Sequence, residues 1–211
     1  MNLEQEQAYY YPNNMGRIIF LAMEDVLGRS GLNTVLNHIG LAGMIENIPP
    51  NNFDRQFRFE VLGNTMEGME HYFGPRAGRG LALRSGRACF MYGLREFGPL
   101  FGIQDMAFRL LPLSTKLEKG AQLFAQVFNR FSDQQVRLEE TGDKLLWHID
   151  CCPVCWQRET DDPCCHLAVG ILQEALYWIS GGKYFCVEET RCIAQGASAC
   201  TVEIDKQPLT H

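Results

Sequence analysis

The sequence is short of positive charge: 19 Lys and Arg stand against 25 Asp and Glu, and no run of basic residues occurs. Nucleic acids and anionic membrane surfaces attract proteins largely through Lys and Arg, so neither is expected as a partner. No apolar run approaches the roughly 20 residues of a membrane span. The N-terminal segment has acidic residues and tyrosines in place of a secretory signal, and a cytoplasmic location is the resulting expectation.

Motifs for nucleotide binding and nucleophilic catalysis are also lacking. Residues 74–80 are rich in glycine and arginine, but they match neither the dinucleotide fingerprint nor the Gly-Lys-Ser/Thr ending of a phosphate loop. A turn between two helices is the simpler interpretation of this segment. No histidine stands at a catalytic spacing from a nucleophile, so an enzyme is not the favoured class.

Cysteine is almost absent from the first 150 residues, where only Cys89 occurs, and is then frequent. The others are Cys151, Cys152, Cys155, Cys164, Cys165, Cys186, Cys192 and Cys200. Nine thiols cannot all pair within one chain, and a reducing cytosol disfavours disulfides. We interpret Cys89 and Cys186 as small core residues. The remaining thiols predict a local metal site.

Zinc binds four thiolate, imidazole or carboxylate ligands in a tetrahedron, and hairpin turns and helix starts commonly supply them. Cys192 and Cys200 bracket the turn of a predicted hairpin. Either Cys164 or Cys165 opens a predicted helix, whose dipole favours a thiolate. Glu189 lies three residues before Cys192. These spacings favour a zinc site that joins the last helix to the last hairpin.

Other donors in the same region leave alternatives open. Cys152 and Cys155 have the spacing of a metal knuckle, and they also admit a redox pair. An iron-sulfur cluster has enough thiols here but not the usual ferredoxin spacing. His148 and His166 are minor alternative ligands, because they lie close to the cysteines in the sequence.

Apolar periodicity predicts helices first and strands late. Helical spacing covers residues 15–27, 33–39, 54–73, 81–101 and 117–131. Alternation then predicts a hairpin at 136–140 and 144–150, a helix at 165–180, and a second hairpin at 184–194 and 200–204. This order indicates an α+β fold with an antiparallel sheet. We expect one domain at 15–205, with its metal-bearing core at 147–205, between a flexible N-terminus (1–14) and a tail (206–211).

The C-terminal third carries a set of short motifs. They are Cys165-His-Leu-Ala-Val-Gly170, Glu174, Gly181-Gly182, Val187 to Cys192, Ala194-Gln-Gly196 and Cys200. Together they resemble the 4-vinyl reductase domain family, also called hydrocarbon-binding. That family includes bacteriochlorophyll-biosynthesis proteins associated with 4-vinyl reduction and sensor domains of phenol-responsive activators, and its fold is shared with TRAPP vesicle-tethering subunits.

The resemblance implies a TRAPP-subunit-like ligand-binding fold, a homodimer, and a zinc ion held by three cysteines and a glutamate. Carried onto this sequence, the ligands are Cys165, Glu189, Cys192 and Cys200. The chain departs from the sensors by its additional thiols, and Cys152, Cys155 and Cys164 are therefore alternative ligands. Such a closed coordination sphere is structural rather than catalytic.

Function is then expected in a hydrophobic interior. The favoured hypothesis is a zinc-stabilised binding module for a small hydrophobic ligand, a tetrapyrrole or an aromatic molecule, acting as a carrier or sensor. Its pocket is expected to include Trp147, Phe90, Phe97 and Phe128, among further candidates Met91, Tyr92, Phe101, Met106, Phe108 and Phe124. The alternatives are an enzyme or accessory factor in 4-vinyl (bacterio)chlorophyllide reduction, and an assembly or scaffolding protein with a protein partner.

Overall fold

Helices dominate the first two thirds of the chain, as the periodicity predicts. The computed structural model describes residues 8–101, 108 and 110–210. Its helices are α1 (Asn13–His38), α2 (Phe59–Phe73), α3 (Pro75–Phe101), α4 (Leu113–Phe131) and α5 (His166–Ser180). Gly28, with φ 70° and ψ 160°, interrupts α1, which is why the sequence predicts two separate helices there. None of the helices described is long and apolar enough to cross a bilayer.

The strands form two antiparallel sheets. The strands are β1 (Tyr10–Pro12), β2 (Arg55–Arg58), β3 (Val136–Thr141), β4 (Lys144–Ile149), β5 (Phe185–Arg191) and β6 (Cys200–Pro208). β1 pairs with β2, and the other four make one sheet in the order β3-β4-β6-β5. The predicted α+β class and the order of hairpin, helix and hairpin are confirmed.

Three boundaries predicted from the sequence are wrong. The segment expected to be flexible to residue 14 already forms β1 and the start of α1, because Tyr11 and Asn14 are buried. The helix expected from residue 54 begins at Phe59, after β2. β6 continues through Pro208, into the predicted tail. Long-range pairing with distant strands overrides the local pattern in each case.

The segment 74–80 is not a turn. Only Gly74 breaks the helical path, with φ 82°, and Pro75 then opens α3. Proline suits the first helical turn, because its missing N–H has no partner there in any helix. Gly78, which follows in α3, packs closely against the backbone of Glu70 in α2.

Helices α3 and α5 cross in close contact through two glycines. A Cβ atom built on Gly86 would overlap the backbone carbonyl of Leu167, and one built on Gly170 would overlap that of Leu83. Two helices can approach this closely only where neither has a side chain at the crossing. The crossing places the N-terminal half of α5 against the middle of α3, beside the interior described below.

We expect Gly86→Ala to destabilise the protein more than Gly80→Ala does. Gly80 lies in the same helix, and a Cβ atom added there would meet nothing within 4 Å. Both changes gain the same helix propensity, but only the first overpacks the crossing, at about 1–3 kcal/mol. Thermal denaturation should show a melting temperature lower by about 2–4 °C per kcal/mol. Equal melting temperatures for the two variants would contradict the close crossing.

Candidate metal centre and apolar cavity

Six buried cysteines converge from four places in the chain. They are Cys152 and Cys155 after β4, Cys164 and Cys165 before α5, Cys192 after β5, and Cys200 at the start of β6. The register of the sheet explains the meeting, because Ile149 at the end of β4 pairs with Cys200. The loop that follows β4 therefore begins beside the hairpin turn. The pairing of β4 with β6 thus brings cysteines that are close in the sequence close together in space.

The three cysteines expected to bind zinc form a nearly equilateral triangle. The Sγ atoms of Cys165 and Cys200 are 3.6 Å apart, and each lies 3.8 Å from Sγ of Cys192. A tetrahedral zinc ion with Zn–S bonds of about 2.3 Å sets its thiolates about 3.8 Å apart. The three sulfurs thus have the separations of three vertices of a zinc tetrahedron.

Glu189 supplies a fourth donor to this triangle. Its Oε2 accepts a hydrogen bond from the backbone N–H of Cys165 at 2.7 Å, while its buried Oε1 has no hydrogen-bond partner. Burial, followed by the charge of the Cys192 thiolate, raises the pKa of Glu189 to about 8. A buried carboxylate oxygen without a partner is unfavourable unless a cation lies nearby. The orphaned Oε1 is therefore the atom best suited to bind a metal ion.

The alternative ligands also come together. Sγ of Cys152 lies 3.5 Å from that of Cys165, and Sγ of Cys155 lies 3.4 Å from that of Cys200. The donors form two groups, each with all four ligand atoms within 4.8 Å of one another. One group is Cys165, Glu189, Cys192 and Cys200; the other is Cys152, Cys155, Cys165 and Cys200.

The remaining candidate ligands lie outside both groups. Sγ of Cys164 is 3.8 Å from that of Cys192. His148 instead contacts Thr201 and Glu139 through its ring nitrogens. His166 has a buried Nε2 without a hydrogen-bond partner but belongs to neither group. The described part of the chain thus favours cysteine and Glu189 over histidine as donors.

Cys89 and Cys186, both expected in the core, differ in their exposure to solvent. Cys89 is buried in α3, and burial raises the pKa of its thiol. Cys186 is exposed, so that prediction is wrong. Side chains alternate along β5, and the buried face is taken by Phe185, Val187 and Glu189. Cys186 therefore points to the opposite face.

Sequence reasoning missed Arg158, a buried cation in the loop that follows Cys155. Its side chain is only 3% exposed, and its Nη2 donates to Glu70 at 3.1 Å. The backbone N–H of Arg158 donates to the carbonyl of Cys155, which anchors the guanidinium near the cluster. Its Nε and Nη1 have no hydrogen-bond partner. A single arginine in a loop carries no sequence signal for this role.

An apolar cavity of about 100 Å³ lies next to the cysteine cluster. All four residues expected in the pocket line it, as does Phe124. Helix α1 contributes Met15, Ile18 and Ile19, which sequence reasoning did not assign, because a core helix and a pocket wall have the same apolar pattern. The polar lining side chains, Tyr11 and Gln134, are hydrogen bonded to each other.

Two of the further pocket candidates point elsewhere. Met91 is 38% exposed, and the hydroxyl of Tyr92 donates to Asp25 at 2.7 Å. Phe108 is buried but is not among the lining residues. Met106 and the side chain of Phe101 lie outside the described residues. Met91 and Tyr92 lie in α3, and only one side of that long helix faces the cavity. The side chains of these two residues are on its other sides.

The comparisons with known proteins concern the fold. No protein-family model and no curated protein matches the chain. A doubly substituted H-NOX from Tt is similar at 13% identity over 95% of this chain and 97% of that chain, with a TM-score of 0.56. The Fe(II) unliganded H-NOX from K. algicida is similar at 12% identity over 93% and 97%, with a TM-score of 0.55. Such identities show a shared fold and nothing more.

A subunit 3 of the trafficking protein particle complex from Naegleria fowleri, covalently bound to palmitic acid, has 15% identity over 72% of this chain and 98% of that chain. Its TM-score is 0.48, too low to support an argument about this chain. A TRAPP subunit is thus among the similar structures, as the sequence led us to expect, but we infer no function for this chain from it.

Heme is the subject of a further similar structure, with a TM-score of 0.54. A haem needs an axial ligand, and its propionates need polar or cationic partners. Among the described residues that line the cavity there is no histidine and no charged side chain. The candidate axial ligands that line the cavity are the thiol of Cys89, whose pKa is raised by burial and which therefore stays protonated, and the hydroxyl of Tyr11, which is paired with Gln134. The cavity residues do not fit a haem.

The thiol triangle predicts a stabilising metal, and Cys192→Ser should lower thermal stability more than Cys186→Ser. Both changes replace a thiol by a hydroxyl, but only Cys192 belongs to the group with Glu189. A metal that binds only the folded state adds about 4 kcal/mol when it is present at a thousandfold above its Kd. Melting curves with zinc and with chelator measure the difference.

Zinc should raise the melting temperature of the wild type and of Cys186→Ser, and the gain should shrink strongly in Cys192→Ser. Identical responses of the two variants to zinc and chelator would exclude Cys192 as a ligand.

Proposed function

We propose that this protein is a binding module for a small apolar molecule, with a structural zinc site that holds one wall of the binding cavity in place. The observation that carries the proposal is the apolar cavity between α1, α3, α4, α5 and β4. Its walls come from elements distant in the sequence, so the cavity exists only in the folded chain. Concave, mostly apolar sites with few polar groups are the common form of ligand site.

The volume of the cavity favours a small ligand. At about 100 Å³ it is several times larger than the roughly 10–15 Å³ that one water needs. It is close to the engineered cavity of about 150 Å³ that stays dry and binds benzene. A tetrapyrrole would require the cavity to open substantially. Of the two ligand classes that the family resemblance suggests, a single-ring aromatic molecule is therefore the better match.

The lining suits an aromatic ring. The rings of Phe124 and Trp147 have centroids 5.5 Å apart, and Phe128 meets both, at 5.2 and 6.2 Å. Aromatic pairs at 4.5–7 Å, offset or edge to face, contribute about 0.5–1.5 kcal/mol beyond area burial. Tyr11 and Gln134 give the same wall a polar edge that a phenolic hydroxyl could contact.

The zinc site acts on the cavity through the chain segments that carry its ligands. Val154, between Cys152 and Cys155, lines the cavity, and so does Leu167, two residues after Cys165. Fixing the thiols therefore fixes the knuckle loop and the first turn of α5. A closed site of this kind supplies folding energy rather than chemistry.

The other expectations from the sequence receive no separate support. An enzyme of 4-vinyl reduction would need a hydride donor and an acid beside its substrate, and the cavity residues named above are apolar apart from the Tyr11–Gln134 pair. An assembly or scaffolding role and a homodimer stay predictions that rest on the family resemblance alone.

Gly93→Leu is expected to abolish binding of a one-ring probe such as toluene or phenol. Gly93 lines the cavity, and a side chain added there meets nothing within 4 Å, so leucine would occupy the ligand's space without disturbing the fold. Gly80→Leu, on the exposed part of α3, is the matched control with the same gain in helix propensity. Isothermal titration calorimetry should show at least a tenfold weaker affinity for the first variant only.

The proposal is contradicted if the folded wild type binds none of a panel of one-ring and short aliphatic probes. Equal affinities of the two leucine variants would show that binding occurs outside this cavity.

A further inference from the structure

We propose that the cysteine cluster holds two divalent metal ions, bridged by the thiolates of Cys165 and Cys200. The two four-donor groups share these two cysteines and differ in their other two donors, so a bridged pair of ions would use both groups at once. One ion would take Cys152 and Cys155 as its own ligands. The other would take Cys192 and Glu189. The inference extends the single zinc site of the proposed function and does not depend on what the cavity binds.

The sulfur positions agree with two tetrahedra that share an edge. The shared edge would be the 3.6 Å separation of Cys165 and Cys200. On one side of it, Cys192 lies 3.8 Å from both bridging sulfurs. The ligands of one tetrahedral zinc ion are about 3.8 Å apart, and a thiolate has enough lone pairs to bind two ions.

On the other side of the shared edge, each bridging sulfur has its own close neighbour. Cys152 is 3.5 Å from Cys165, and Cys155 is 3.4 Å from Cys200. With a metal on the Cys192 side alone, Cys152 and Cys155 would be left, like Cys164, in contact with metal-bound sulfurs and without an ion; a second ion leaves only Cys164 in that position. Without that second ion, the loop that carries Cys152 and Cys155 would bury two metal-binding groups without a use for either.

The charges also favour two ions. Five thiolates and one carboxylate cannot share a buried space without cations, because an isolated buried anion is strongly destabilised. Two divalent ions reduce the excess to two negative charges. Arg158, in the same loop as Cys155, is ion-paired with Glu70 at 3.1 Å, so its charge is already matched. The buried Oε1 of Glu189, which has no hydrogen-bond partner, is an independent sign that this space suits a cation.

Other uses of the six thiols fit the distances less well. In a 4Fe–4S cluster each protein thiolate binds a different iron, so the thiolates stand farther apart than the ligands of one ion, and in a 2Fe–2S cluster sulfide occupies the bridging positions that Cys165 and Cys200 would take here. Disulfide bonds need S–S distances near 2.05 Å, and the closest pairs here are 3.4 and 3.5 Å apart. These separations are those of sulfurs around single metal ions.

Native mass spectrometry of the reduced full chain, purified without chelator and loaded with zinc, should show two ions per chain. The double variant Cys152→Ser/Cys155→Ser should retain one ion. The double variant Cys89→Ser/Cys186→Ser, which removes two thiols outside the cluster, should retain two. One ion in the wild type, or a cluster with iron and sulfide, would overturn the proposal.

A second measurement does not depend on whether a variant folds. The wild type loaded with cadmium-113 should give two cadmium NMR signals that are coupled to each other through the bridging sulfurs. Two uncoupled signals, or one signal, would overturn the bridged arrangement. Loss of probe binding in Gly93→Leu tests the cavity separately, so failure of either claim is visible without the other.

Discussion

The antiparallel pairing of β4 with β6 determines where both candidate sites lie. In this register Ile149 pairs with Cys200 and Trp147 pairs with Val202. Cys200 enters the thiol cluster, and Trp147, two residues before the end of β4, faces the cavity. Side chains alternate across a sheet, so a shift of one residue would turn Trp147 away from the interior. A single ladder of hydrogen bonds therefore sets the cluster and the cavity together.

The close crossing of α3 and α5 supplies the second constraint. The absence of side chains at Gly86 and Gly170 lets the two helices touch along their backbones. This contact brings the start of α5, which follows Cys165, against the middle of α3, where Phe90 and Phe97 line the cavity. A metal bound at the proposed site before α5 would thus act on the same wall as the helix packing along α5. Loss of the metal, or a wider crossing of α3 and α5, should therefore increase the mobility of the cavity wall more than that of the sheet.

Much of this organisation could be predicted from local sequence patterns. Helical spacing and the late change to alternation identified most elements, and the bracketing of a turn by Cys192 and Cys200 identified the region where the thiols meet. The pairing of β1 with β2 could not be predicted, because it joins short strands distant in the chain. The role of Arg158 was missed because its neighbours become known only in three dimensions. Cys186 could have been assigned correctly, since the alternation of β5 turns it outward.

The likeness to H-NOX structures shows how little a fold alone says about the ligand. A scaffold can keep its helices and sheet while the side chains in its interior determine what it binds. Here the rings of Phe124, Phe128 and Trp147 fill much of the interior and leave room for about one aromatic ring. With no histidine or charged group among the described lining residues, selection must act through shape and the Tyr11–Gln134 pair. For the proposed ligand, size rather than metal chemistry in the cavity would then be the property that these residues select.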